Sequence, residues 1–217
     1  MTEEARSRAV VLGRVRAALA SSGSPPREPA PVAAIPRAYR QAGGPVDRDA
    51  LTMRFCERVD EYRAHVHHAS AASLQHVVAG LLTGRVLVPA AAPCAPAGFE
   101  AIGDDPPLTA RELGAADGVL TGCALAVAET GTIVLDGTAA CGRRALTLVV
   151  DHHVCVVRAE QIVADIPDAI AALRRTGAMC RPITLVSGPS ATSDIELERV
   201  EGVHGPRRLD VVVVTED

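Results

Sequence analysis

The feature that most constrains this chain is a set of short runs dominated by consecutive apolar residues. RVLVP at 85–89, HVCVVR at 153–158 and LDVVVV at 209–214 do not alternate with polar residues. A strand of that composition has to be buried on both faces, as in a parallel sheet covered on two sides. The intervening segments supply the cover. LTMRFCERVDEY, SAASLQHVVAGLLTG (ending at Gly84), LTARELGAA and DIPDAIAALRR carry helical spacing. The last has Asp165 and Pro167 at its start, Ile166, Ile170 and Leu173 on one face, and Gly177 just past its end. AHVHHA, FEAIGD, ALTLVV and PITLVS read as further strands. The expected fold is α/β, a layered, mostly parallel or mixed sheet with helices on both faces.

One stretch interrupts the alternation. GCALAVAETGTIVLDG at 122–137 places two apolar runs around Glu129, Thr130 and Gly131, which predicts a hairpin and makes the sheet mixed. Gly131 can take the positive φ that turns the chain, leaving Glu129 at the end of a buried strand. Glu129 is then either a solvent-facing turn residue or a carboxylate beside a cleft, serving as nucleophile or base. The latter roles call for a partly desolvated site that raises its pKa.

Three regions are expected. Residues 1–22 form an amphipathic helix with Leu12, Val15 and Leu19 on one face, and 23–50 a Pro- and Gly-rich linker. Residues 51–217 form the α/β domain. The chain has no Lys and no Asn, which excludes a Walker A loop, a Schiff-base aldolase and a pyridoxal-phosphate anchor. A formal charge of −4 with 2% aromatics argues against nucleic-acid binding. No apolar run reaches membrane-spanning length, so the cytoplasm is the expected compartment and the six cysteines are expected as thiols. No two stand at C-x-x-C spacing, which disfavours a zinc ribbon or a self-contained iron–sulfur cluster. His65, His67, His68, His152 and His153 lack the tight grouping of a metal site, and none is assigned.

Two further loops carry chemistry. ITLVSGPSATSDIE runs from a strand through Ser187, Gly188 and Ser190 to a capping box of Ser193 and Glu196; it is an anion cradle or an ordinary helix cap. EGVHGPRRLD sets His204 between glycines, with Gly205 and Arg207 behind it, as a carboxylate or phosphate contact or as a surface turn.

Together TGCALAVAETGTIVL, the Arg143–Arg144 pair ahead of HVCVV, and SGPSATSDIE with GVHGP resemble the LUD domain of lactate-utilization proteins, specifically the short protein C family. The resemblance covers about residues 50–217. It implies a fold similar to sugar-phosphate isomerases and CoA transferases, and a role in a system oxidising L-lactate to pyruvate. The iron–sulfur clusters of such a system are expected in partner subunits, with no cofactor held by this chain. On that reading Glu129 and His204 are the catalytic candidates, and Thr130, Gly131, Ser187, Gly188, Ser190, Gly205 and Arg207 bind a small carboxylate or phosphate. Ala128-Glu129-Thr130-Gly131 also looks similar to the Ser-Glu-Asn-Gly setting of a CoA-transferase nucleophile, with Ala for Ser and Thr for Asn. A CoA-transferase-like enzyme using Glu129 and a noncatalytic scaffold both stay open as alternatives.

Overall fold

The computed structural model describes residues 3–21, 35–36, 38–189 and 205–215. The chain divides into one unit up to Tyr39 and a second from Arg40 onward. Helix α1 (Glu3–Ser21) belongs to the first; its Val11, Val15 and Leu19 are exposed. Among the described residues no helix is long and apolar enough to cross a membrane.

The second unit begins with α2 (Arg48–Glu61), capped by the Asp47 carboxylate, which accepts from the Ala50 N–H. Then follow β1 (His65–Ser70), α3 (Leu74–Leu81), β2 (Arg85–Leu87), β3 (Glu100–Ile102), α4 (Ala110–Leu113) and β4 (Gly118–Thr121). The hairpin β5 (Leu125–Val127) and β6 (Thr132–Leu135) precedes α5 (Ala145–Val149) and β7 (His152–Arg158). The chain continues through β8 (Ile162–Val163), α6 (Ile166–Arg175), β9 (Thr184–Val186) and β10 (Arg208–Thr215).

These strands make a six-stranded parallel sheet in the order β1-β10-β7-β4-β2-β3. Beside it stands a smaller mixed sheet, β8-β5-β6-β9. The apolar runs do what their composition demands. Along β10, Val212 and Val214 pack under α3 with Leu74 and Val78, while Leu209, Val211 and Val213 face Phe55 and Val59 of α2 and the small sheet. Each such side chain, fully buried, contributes about 1.5–3 kcal/mol. Helix α6 covers the outer face of the small sheet through Ala169 and Leu173.

Three expectations need correction. The hairpin does not make one mixed sheet; GVLTGCALAVA splits at Gly122, with β4 in the large sheet and β5 in the small one. ALTLVV is the helix α5, because Leu146 and Val150 bury against Leu87, Leu113 and Val119 while Leu148 and Val149 face out. A short run of apolar residues satisfies either period, and the packing partners choose. In α6, Ile166 is exposed, and Ala169 with Leu173 forms the inner face.

Candidate functional site

Both sheets carry the chain toward the same two ends. Where the parallel strands begin, the β5–β6 turn lies against the last turns of α2. Gly131 has φ +60, and a Cβ there would stand 2.9 Å from the Arg58 backbone, so no larger residue fits. Strand β9 runs antiparallel to β6 and delivers Ser187 to the same end. The hydroxyls of Thr130 and Thr132 are 2.7 Å apart, and those of Thr132 and Ser187 2.8 Å, a chain joining the hairpin to the Ser187–Gly188 turn. Gly188 has φ +83, and Gly205 approaches so closely that an added Cβ would lie 3.0 Å from the Pro189 carbonyl. Glu129, Thr130, Gly131, Ser187, Gly188 and Gly205 thus share one end. Arg207 is at the same end but on the surface, 3.6 Å from Asp151. His204 and Ser190 lie outside the described residues, as does the capping box of Ser193 and Glu196.

Glu129 is held by a residue that no sequence motif marks. Arg40 donates to both carboxylate oxygens, at 2.7 and 3.3 Å, and its Nε stands 3.2 Å from Asp165. The Arg40 hydrogen bond holds the Glu129 carboxyl below its ordinary range, outweighing the small upward push of burial. Glu129 is therefore an ionised group clamped by an arginine, with 34% of its side chain exposed. A carboxyl raised toward neutrality, as a general base requires, is not what this geometry produces.

A second cluster at the strand-start end escaped the sequence reading. Asp210, with no exposed area, accepts from His152 at 2.6 Å, from His67 at 2.7 Å and from Arg208 at 2.6 Å. Burial alone would raise its pKa, yet the hydrogen bonds from His152, Arg208 and His67 pull it far below the carboxylate range. The alternation of Arg208 and Asp210 on one strand face was the available signal; the histidines come from two other strands. Among the described residues no group of three or more His, Cys, Asp or Glu is placed to hold a metal ion.

The opposite end, where β2, β3 and β4 finish, is roofed by the loop 137–144. The Ala91 N–H donates to the Ala139 carbonyl and the Gly122 N–H to the Ala140 carbonyl. Arg143 is fixed there by a bidentate pair with Asp104 and a bond to the Leu108 carbonyl. Arg181 grips Asp136 at 2.5 Å, and Thr138 donates to the same carboxylate at 2.7 Å. All six cysteines are free, and burial pushes the Cys141 thiol beside Asp136 up to about 11. Two cavities of about 170 and 290 Å³ flank Arg143 under this roof.

Comparison with known proteins identifies the class of this α/β domain. Residues 102–214 match the family model described as the LUD domain. Lactate utilization protein C of Deinococcus radiodurans is 50% identical over 174 residues, covering 78% of this chain and 82% of that one. YkgG of Escherichia coli, an uncharacterized protein, is 37% identical over 93 residues, 41% of this chain and 39% of that one. A crystal structure of a DUF162 family protein from Deinococcus radiodurans superimposes with a TM-score of 0.69 at 44% identity, covering 78% of this chain and 99% of that one. The chain belongs to the LUD domain family.

Proposed function

We propose that this chain acts in lactate utilization, as the cluster-free component of a system whose iron–sulfur clusters reside in partner subunits, and that the hairpin end is its working surface. The observation that carries the reading is convergence. Glu129–Gly131, Ser187–Gly188 and Gly205 lie far apart in sequence and meet at one end of the domain through the Thr130–Thr132–Ser187 hydroxyl chain and the Gly205–Pro189 contact. The names of the related proteins in Deinococcus radiodurans and Shouchella clausii support the pathway.

Oxidation of L-lactate to pyruvate releases two electrons and two protons, and on this reading the partners' clusters take the electrons. The loosely paired, exposed Arg207 can exchange Asp151 for a ligand carboxylate or a partner's acidic side chain at little cost. Glu129, kept ionised by Arg40, orients charge at the surface instead of accepting the hydroxyl proton.

Deleting the gene is the test. Loss of growth on L-lactate with normal growth on glucose, restored by the intact gene, is the expected result. Undiminished growth on L-lactate overturns the reading. A second reading is acyl transfer through Glu129, whose side chain is 34% exposed at the hairpin turn although Arg40 engages both its oxygens. Hydroxylamine-sensitive labelling of Glu129 by an acyl-CoA would establish it, and the absence of any adduct would dismiss it.

A further inference from the structure

The end remote from the hairpin holds a feature that the proposed role does not use. The smaller cavity, about 170 Å³, lies between the end of β6, the start of β9, the loop 137–144 and α5. Its walls include Arg143 and Arg144, the hydroxyl-bearing Thr147 and Thr184, and the apolar Leu135 and Pro182. No carboxylate lines it. The acids nearby are already committed, Asp104 to Arg143 and Asp136 to Arg181. Arg144 differs from its neighbours: among the described residues its guanidinium has no hydrogen-bond or ion-pair partner. The neighbouring cavity of about 290 Å³ is lined by Asp104 and Asp105 as well as Arg143, so its wall does not select an anion.

We propose that this smaller cavity binds a short 2-hydroxy- or 2-oxo-monocarboxylate, with Arg144 on the carboxylate and Thr147 and Thr184 on the substituent oxygen. Size argues first. An engineered cavity of about 150 Å³ admits a benzene ring, so about 170 Å³ has room for a ligand of comparable size. That matches a three-carbon hydroxy acid, whereas a nucleotide or a CoA thioester would extend well beyond the cavity. Chemistry argues second. A planar guanidinium suits a carboxylate, and the Leu135 and Pro182 wall suits a methyl group, which inorganic phosphate would leave uncovered. The Thr147 hydroxyl makes only a long 3.4 Å bond to the Arg144 carbonyl and keeps acceptor capacity for a ligand hydroxyl. Arg143, pinned by Asp104 and Leu108, gives the cavity a fixed wall, with its charge largely offset by Asp104.

The inference concerns a different end of the domain and does not rest on the hairpin reading; binding to the purified chain and growth of a deletion strain are separate readouts. The experiment titrates the full-length ¹⁵N-labelled protein with L-lactate, pyruvate, acetate and inorganic phosphate. Saturable shifts at the amides of Gly142, Arg144 and Thr147 are expected with lactate or pyruvate, and weaker ones with acetate and phosphate. Arg144→Gln, at an exposed position, is expected to keep its melting midpoint and to weaken lactate and pyruvate by about tenfold or more. Thr184→Val is expected to weaken lactate while leaving acetate unchanged. Shifts confined to residues 129–131 and Ser187, unaltered affinity in Arg144→Gln, or tightest binding by phosphate would each overturn the assignment.

Discussion

At the end where the parallel strands begin, Glu129 meets Arg40 with 34% and 60% of the two side chains exposed. At the end where they finish, Asp136 meets Arg181 with the carboxylate only 5% exposed and two further donors, Thr138 and Cys141, around it. Both acids sit in or beside the hairpin, one at its turn and one just past its second strand. Water screens the first pair, whereas the second carries a buried charge that only its partners make tolerable. The motif end is thus built to present groups, and the roofed end is built to hold its shape around cavities.

Asp210 breaks the simple form of that contrast, since it belongs to the presenting end yet is fully buried. Asp210→Ala, which strands His67, His152 and Arg208 around an empty position, is expected to cost about 3–5 kcal/mol in urea unfolding. The acid limb sharpens the point. The folded carboxyl titrates below its ordinary 3.8, so its stabilising contribution is complete above that value and is lost as pH falls below it. The variant should accordingly lose part of the wild-type stability change at acid pH. At the roofed end, Asp136→Ala is expected to cost about 2–3 kcal/mol, because the Arg181 and Thr138 donors lose their acceptor.

Smaller effects test the hairpin itself. Gly131→Ala forces a Cβ against the Arg58 backbone at positive φ and should cost about 1–3 kcal/mol by thermal unfolding. Arg40→Ala is the mildest. The melting midpoint should stay put, while the Glu129 carboxyl, followed by NMR, titrates higher, toward its ordinary 4.5. A Glu129 titration unmoved by Arg40→Ala would show that the pair does not set its charge, and the contrast between the two ends would lose its basis.

Much of the fold was legible because composition reports burial. HVCVVR and LDVVVV have no continuous polar face to turn outward, so they are central strands with α3 on one side and α2 with the hairpin sheet on the other. ALTLVV fits either period because five of its six residues are apolar, and only contact with Leu113 and Val119 makes it a helix. The candidate site was legible in part. Glycines and hydroxyls at fixed spacing marked the hairpin and the Ser187 turn, but Arg40 reaches Glu129 from 89 residues away and leaves no local trace. Asp210 looked like one polar residue opening a valine run, and its histidines belong to strands that the topology places on either side.

The sequence by itself determined which segments are buried on two faces and where the chain must turn, since both follow from side-chain hydrophobicity and from the freedom of glycine. Tertiary structure alone decided the charge states and the partners. A carboxylate's ionisation depends on which cations the folded chain brings within hydrogen-bonding distance, and that distance is a property of the sheet order.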